Sequence, residues 1–564
     1  MVNILTQLKA AATAVRTANS AFFAPQPSRF LFVSPLADGA DQIAAELALG
    51  LGFELQAVLP FEQDRYRASL PDDGARQQFD SLIAKASCVL ELPGDTNRPL
   101  DAYVMAGRAT MAHSDLLIAV WDGLPPRGRG GTGEVVALAI ADGTPLVHVP
   151  VDDSGTTKVS WSAYDPYVVT RAPDRAVERL CGPELLQKLL TALLAPPPDS
   201  RERAFLMLFQ RERSREWRLR LEYPLLLALA GVSRLGSKDW RNTHCSAFTR
   251  TEWQRYRENC CCDHELTPPL DPLEDWYDCT DRMATHFAQS YRSGQVFNFV
   301  SAAMAILIAL SALIVPQFKA YLATAEFTLI VGILANTTFG KRWQWHRRWL
   351  DYRQLAERLR PMRSLKLLAI ARPDPPGSET TPIASRWIDW YAAAVWRATG
   401  CPVGRLAPSA IQPLARAIAC HELWPQIDYH RSSAAQIHRL DHRLERFATA
   451  IFTCSLIGCV VLLIALVVDK HWVEENFNWF TIASAGLPAI GAAIFGIRYE
   501  GDFGGSAVRS ETTANTLEQI AVELTQNETE LSRAADLLEQ AARAMLSDLD
   551  EWRLLNQQHN LSVG

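Results

Sequence analysis

The chain has 564 residues, a net charge of −6 at neutral pH and an isoelectric point of about 6.1. This length exceeds a single compact core, so several domains are expected, and the lack of a strong positive charge argues against nucleic acid as a partner. The apolar share of 48% conceals a division, because the first 290 residues have the composition of a soluble protein. The remainder alternates long apolar runs with charged helices.

The N-terminal segment repeats a strand–loop–helix–strand pattern. An initial polar amphipathic helix, unlike a secretory signal peptide, precedes a predicted strand at 29–33, a helix at 43–52 and a strand at 53–61. Similar alternation continues to about residue 151. The pattern predicts an α/β domain with a parallel sheet, whose ligands bind at the carboxyl ends of the strands.

A glycine-rich stretch, RGRGGTGEVVAL at 127–138, follows one of these strands. Glycines allow close approach of a ligand, and the free N–H groups and dipole of the following helix favour an anion. A second turn, SPLADGAD at 34–41, is expected at the same sheet edge, and Arg127 and Arg129 add positive charge. A purely structural tight turn is the alternative. The candidate ligand-binding residues are Ser34, Gly39, Asp41, Asp122, Gly123, Gly130, Gly131, Thr132, Gly133 and Glu134.

Residues 156–290 are predicted to be mostly helical, with an apolar run at 224–232 that is too short to span a bilayer. Cysteines and histidines cluster here without paired CxxC spacing, so packing is favoured over a zinc site. With no signal peptide, most cysteines are expected to be reduced. The cluster comprises His244, Cys245, Cys260, Cys261, Cys262, His264 and Cys279.

Four apolar runs predict four membrane spans in two hairpins, at 293–318, 320–340, 447–468 and 476–497. Basic residues flank the inner ends, so the positive-inside rule places both termini and the middle region in the cytosol. Simple anchoring and gating are both compatible with the hairpins. The candidate pore or membrane-interface residues are Glu326, Trp343, Trp345 and Trp349.

The tail is predicted as one long helix over 510–555 with a heptad seam. The polar residue Asn527 interrupts the seam, as a register-setting residue does in a coiled coil. The seam predicts either packing within the chain or, as we favour, a homo-oligomer. Its residues are Leu517, Leu524, Leu531, Leu538, Met545 and Trp552.

The motifs LFVSPLADGADQIAAE, DLLIAVWDG and GGTGEVVALA resemble the SLOG superfamily over residues 1–155. That superfamily includes DprA proteins, LOG phosphoribohydrolases and sensor domains of bacterial defence proteins. The resemblance implies a Rossmann-like domain that binds a nucleotide-derived ligand through the glycine loop, with Arg108 near the position of the LOG arginine. No other cofactor is expected.

Two departures from the LOG pattern bear on activity. The family's catalytic glutamate falls at Val135, and the nearby acid, Glu134, lies one residue early, so a binding domain is expected rather than an enzyme. The family opens with a strand and a glycine loop, whereas the first element predicted here is a helix. Either a truncated start or a pocket that lacks one wall would account for this difference.

The paired spans, WxxxWLDYRQLAERLR and GDFGGSAVRSETT resemble the SLATT membrane effector associated with SLOG sensors. The resemblance implies a pore-forming or membrane-disrupting protein of antiphage defence (abortive infection) in the bacterial inner membrane. Its partners would be a nucleotide second messenger, the lipid bilayer and further copies of itself.

The alternatives are a membrane-anchored LOG-like hydrolase and a non-sensing scaffold. The expected domains are 1–155 (sensor), 156–290 (connecting region), 291–370 (first hairpin and helix), 371–434 (linker) and 435–564 (second hairpin and tail).

Overall fold

The computed structural model describes residues 1–126, 128–152, 155–161, 178–213, 217–240, 243–260, 266–268, 270–373, 386–526 and 530–556. The N-terminal part mixes strands and helices close to the predicted positions. Its helices are α1 (Val2–Ala18), α2 (Ala40–Gly50), α3 (Gln63–Ser69), α4 (Asp73–Lys85), α5 (Pro99–Ala112), α6 (Thr132–Ala141) and α7 (Pro183–Leu194). Its strands are β1 (Leu31–Ser34), β2 (Glu54–Leu59), β3 (Cys88–Glu91), β4 (Leu117–Trp121), β5 (Leu146–Pro150), β6 (Lys158–Ser160) and β7 (Glu178–Leu180).

The rest of the chain is largely helical. Its short strands are β8 (Leu266–Thr267) and β9 (Val403–Arg405), and residues Ala419–Leu423 form a π-helical turn. Its helices are α8 (Ser200–Arg211), α9 (Glu222–Leu229), α10 (Ser237–Trp240), α11 (Thr243–Cys260), α12 (Asp271–Ser311), α13 (Lys319–Arg342), α14 (Trp345–Leu359), α15 (Met362–Leu368), α16 (Trp387–Thr399), α17 (Ile411–Ile418), α18 (Trp424–Val468), α19 (Lys470–Gly501), α20 (Phe503–Thr525) and α21 (Leu531–Asn556).

The described strands form two sheets rather than one continuous parallel sheet. The first has the order β1-β2-β3-β9-β8, and the second has the order β4-β5-β6-β7. Parallel pairing holds from β1 through β9 and between β4 and β5, while β6, β7 and β8 pair antiparallel. The expectation of an α/β region is therefore confirmed in its coarse form. The predicted domain division stays a prediction, although β9 lies within the predicted linker and joins the first sheet.

A buried helical core connects this region with the membrane helices. It contains apolar residues of α11, α12, α14, α15, α16, α17, α20 and α21, and also side chains of β3 and α5. Large aromatic side chains such as Trp253 and Trp387 are fully buried in it. Because burial of apolar surface is the main favourable contribution to folding, this core ties the two regions together.

Four helices are long and apolar enough to cross a membrane: α12, α13, α18 and α19 with its continuation. Each of these helices has a most apolar stretch of 18 residues. In α12, 44% of the residues in that stretch are buried, whereas in α18 none are. Glycines permit close contact between helices, because a Cβ on Gly496 would overlap the ring of Phe299 on α12. The membrane character is thus confirmed, whereas the orientation and the kind of membrane stay predictions.

The tail differs from the single long helix predicted. It forms two helices, α20 and α21, and α20 already begins at Phe503. Within the chain the seam is buried, with Leu517 and Leu524 at 0% exposure and Leu531, Leu538 and Met545 at 3%, 3% and 4%. In this structure these five residues pack within the chain, which is the alternative use of the seam, and a homo-oligomer formed through the seam stays a prediction. Asn527 and the side chain of Trp552 lie outside the described residues.

Candidate functional site

A cavity of about 1420 Å³ is lined by one edge strand from each sheet, β1 of the first sheet and β4 of the second. Consecutive residues line it, Leu31–Ser34 on β1 and Leu117–Val120 on β4. Because side chains alternate between the two faces of a strand, consecutive lining residues show that the cavity runs along the strand edges. Drug-sized ligands occupy roughly 300–1,000 Å³, so the cavity has room for a ligand larger than a mononucleotide.

The glycine loop lies at one wall of this cavity, where Gly130, Gly131 and Thr132 contribute to the lining. Gly130 has a φ of +79°, and a Cβ there would lie 2.9 Å from the carbonyl oxygen of Leu100. Thr132 is the first residue of α6 and is exposed, so the first-turn N–H groups of a ten-residue helix face this loop. The loop therefore has the backbone geometry of an anion site.

Glu134 already acts as an internal anion for this loop. Its Oε2 accepts a hydrogen bond of 2.6 Å from the backbone N–H of Gly130. The neighbouring Val135 packs against α5, because a Cβ on Gly107 would lie 2.7 Å from a Val135 methyl group. Glu134 is therefore not placed as a free general base, since its carboxylate is bonded to the loop and does not line the cavity. Val135 has no group that could accept a proton. Gly133 is packed against Pro126, with 3.2 Å between its hypothetical Cβ and the Pro126 backbone.

The second predicted turn lines the same cavity through Ser34 and Asp41. The Ser34 hydroxyl oxygen accepts a hydrogen bond of 3.1 Å from the N–H of Leu36. Gly39, with a φ of +83°, precedes α2 but does not itself line the cavity. Burial raises the pKa of Asp41 to about 6, although the hydrogen bond from the Ala37 N–H to its carboxylate opposes the rise. The structure therefore brings the two predicted turns together at one cavity.

Arg108 is engaged by the C-terminal helix instead of facing the cavity. Its guanidinium forms ion pairs with Asp536, at 2.7 Å, and with Glu539, at 3.3 Å. Glu539 lines the cavity and also accepts a hydrogen bond of 3.1 Å from the backbone N–H of Arg372. Burial raises the pKa of Glu539, although Arg108 opposes that shift. We call these two ion pairs of Arg108 the latch.

The remaining predicted ligand residues are less directly placed. Asp122 accepts a hydrogen bond of 3.0 Å from the N–H of Leu124, and Gly123 has a φ of +78°, so both shape the turn after β4 without lining the cavity. Arg129 forms an ion pair of 2.7 Å with Asp101. Arg127 lies outside the described residues.

The predicted membrane-interface residues lie on or next to α13 and α14. Glu326 is half-buried in the second turn of α13, and Trp343 is 44% exposed at its end. Trp345 and Trp349 pack instead under arginines, with the guanidinium of Arg220 5.4 Å and that of Arg292 4.8 Å from the respective ring centroids. These two tryptophans therefore hold the end of the first hairpin that leads into α14 through cation–π contacts.

Only part of the cysteine and histidine cluster lies within the described residues. Cys261, Cys262 and His264, and the side chains of His244 and Cys245, lie outside the described residues. Cys260 is buried and Cys279 is half-buried, and no group of potential metal ligands is found within the described ranges.

Sequence reasoning missed the acids on α21 that reach Arg108. Glu539 follows Asp536 by three positions, so both lie on one helix face. That spacing was a usable signal, but the partner 431 residues away was not visible in the sequence. No family model matches the chain, and no curated protein or solved structure matches it either.

Proposed function

We propose that this protein is a ligand-gated membrane effector of bacterial antiphage defence. In this proposal the N-terminal part is a Rossmann-like sensor of SLOG type that binds a nucleotide-derived second messenger. The SLATT-like hairpins then open a pore or disrupt the inner membrane, with both termini in the cytosol. The observation that carries the proposal is the latch, because it joins the candidate ligand cavity to α21, which follows and packs against α20, the continuation of the fourth span.

The latch offers a way for a ligand to act on the membrane helices. An anionic ligand in the cavity faces Glu539 and repels its carboxylate. This repulsion weakens the ion pair that holds α21 next to Arg108. Helix α21 packs against α14, α15 and α20, and α20 packs against α18. A ligand that prefers the released state of α21 therefore shifts the equilibrium of helices that continue into both hairpins.

The membrane region supports an assembled output. No residue of the most apolar stretch of α18 is buried in the single chain, so this face contacts lipid or another copy. Four helices enclose no wide channel by themselves, so a pore formed by this protein would need several copies. The assembly would use the span surfaces, because the tail seam is already buried.

The first experiment measures dye release from liposomes that contain the full chain. We expect little release without ligand, and release after addition of an activating nucleotide that also raises the melting temperature. Gly131→Asp should abolish both effects, because it places a carboxylate in the proposed anion site. The double variant Asp536→Asn with Glu539→Gln should release dye without ligand. Glu518→Gln is the matched control, since Glu518 pairs with Arg431 on the exposed side of α20.

Other outcomes separate the alternatives. Conversion of a nucleoside monophosphate to its free base would contradict the proposal and identify a LOG-like hydrolase. A melting temperature that no nucleotide changes, together with no dye release from the double variant, would instead favour a non-sensing scaffold.

A further inference from the structure

A buried lysine and two cysteines lie where β3 meets β9. Lys366 of α15 is 1% exposed, and both Cys88 of β3 and Cys401 before β9 are 5% exposed. The Lys366 Nζ donates to the carbonyl oxygen of Gly400 at 2.5 Å, and it lies 3.6 Å from the ring centroid of Trp396. The glycine loop and the latch use none of these groups.

The third neighbour of Lys366 is a neutral histidine. His113 Nε2 lies 2.9 Å from the carbonyl oxygen of Ala369, which can only accept, so Nε2 carries the proton. Its Nδ1 is then an acceptor for Lys366 Nζ at 3.3 Å. A carbonyl, a neutral imidazole and an indole cannot balance an ammonium charge. Burial consequently lowers the pKa of Lys366 to about 7, and the thiols of Cys401 and Cys88 partly oppose this shift.

The two thiols are close enough for a bond between them. Leu90 pairs with Gly404 in parallel register, so two residues earlier Cys88 lies opposite Pro402 and next to Cys401. The Cys88 thiol donates to the carbonyl oxygen of Pro402 at 3.2 Å and lies 3.8 Å from that of Cys401. The Cys88 and Cys401 thiols also form a hydrogen bond with each other, so their sulfur atoms are already neighbours for a disulfide.

We propose that Cys88 and Cys401 are a peroxide-reactive dithiol with Lys366 as its proton acceptor. The Lys366 amine takes the Cys88 thiol proton, and the resulting thiolate attacks hydrogen peroxide, forming an S–O bond as the O–O bond breaks. The leaving hydroxide takes the Lys366 proton and becomes water. The Cys401 sulfur then attacks the Cys88 sulfur and gives its proton to the departing hydroxide, which forms the disulfide and releases the second oxygen as water. Two thiols are oxidised and one peroxide is reduced.

The cavity provides the route for the oxidant, because Lys366 and Gly400 both contribute to its lining. The disulfide would covalently connect β3 of the N-terminal sheet to the segment that leads into α17 and α18. Oxidation would therefore act on the contact between the sheet and the membrane helices, as the ligand is proposed to do. This effect does not depend on nucleotide binding.

The test is peptide mass spectrometry of the full chain in detergent. Reduced protein is treated with increasing hydrogen peroxide, alkylated and digested without reductant. We expect a cross-linked peptide pair containing Cys88 and Cys401, formed at peroxide concentrations about tenfold below those that consume the exposed Cys420. Oxidation of Cys88 no faster than that of Cys420, or oxidation without a link to Cys401, would overturn the proposal.

Two variants refine the assignment. Cys401→Ser should leave Cys88 as a sulfenic acid that dimedone labels, whereas dimedone should label little of the wild-type protein. Lys366→Met should slow the loss of the Cys88 thiol about tenfold, with an unchanged melting temperature showing that the fold is intact. Equal rates with and without the amine would contradict its role, and if this variant does not fold, the wild-type cross-link still decides the main claim.

Discussion

The ligand cavity and the helical core both place charges inside the protein, but they hold them in different ways. In the core, Arg363 is 1% exposed and contacts Glu422 at 2.5 Å and Glu252 at 2.9 Å. In the latch, the side chains of Arg108, Asp536 and Glu539 are 24%, 46% and 17% exposed. We call the first group (Arg363, Glu422 and Glu252) the buried hub, to contrast it with the latch.

This difference separates a permanent connection from one that can exchange. Removing one partner from a buried ion pair leaves an uncompensated charge in a low-dielectric interior, so such a pair does not open under ordinary conditions. Ion pairs with an exposed partner, such as Arg108 with Asp536, contribute little, because water compensates each partner when they separate. The hub therefore holds α11, α15 and the π-helical turn as one unit, whereas the latch is proposed to open when a ligand binds.

The largest expected effect comes from the hub. Glu422→Gln removes one of the two carboxylates that Arg363 contacts in the hub and should destabilise the protein by about 3 kcal/mol, the lower end for a broken buried pair. The measurement is thermal unfolding of the full chain in detergent. The matched control is Glu518→Gln, which breaks the exposed pair with Arg431 and should cost less than about 1 kcal/mol. Equal losses from both variants would contradict the distinction between buried and exposed ion pairs.

A second effect, of opposite sign, is expected at the cavity. Burial raises the folded-state pKa of Asp41 to about 6, above its unfolded value, so the folded protein binds the proton more tightly. Stability from this residue is therefore present at low pH and falls as the pH rises from about 4 to about 6. Asp41→Asn should stabilise the protein by about 2 kcal/mol at pH 7.5 and by much less at pH 4.5.

Melting temperatures across this pH range test that expectation. The other titratable groups near Asp41 are Asp38, Tyr66 and Tyr103, and these are unchanged in the variant. A constant difference between variant and wild type from pH 4.5 to 7.5 would show that the Asp41 carboxyl is not the source of the pH dependence.

The sequence predicted the local elements better than their assembly. Strand and helix positions around Gly130 followed from β-branched runs and glycine turns, and the four membrane helices followed from apolar length. The division into two sheets did not, because pairing between Cys88 of β3 and the segment around Pro402 depends on residues more than 300 positions apart. The heptad around Leu517 was visible, but its period could not distinguish a partner within the chain from a second copy.

A smaller effect is expected at the glycine loop. Gly130→Ala places a Cβ 2.9 Å from the Leu100 carbonyl oxygen at a φ of +79°, so it should cost about 1–2 kcal/mol of local strain. The same change at Gly131, which has a φ of −91° and nothing within 4 Å of its hypothetical Cβ, should cost less than about 0.5 kcal/mol. Melting curves compare the two variants, and a larger loss for Gly131→Ala would show that the loop differs from this geometry.

The smallest effect on stability is expected at the latch itself. Asp536→Asn removes a half-exposed partner of Arg108 while Glu539 remains, so the melting temperature should change by an amount equivalent to less than about 1 kcal/mol. Hydrogen exchange should nevertheless become faster along α21, because local opening depends on the few contacts that hold this helix against α5.

Peptides covering residues 531–545 provide the readout, with peptides of α11 in the hub as the internal reference. Glu518→Gln again serves as the control, since it removes a carboxylate of similar exposure that does not face the cavity. Faster exchange in α21 with no change in α11 would show that the two regions open independently. Unchanged exchange in α21 would mean that apolar packing, rather than the ion pairs of Arg108, holds the helix, and a ligand would then have to displace more than charge to release it.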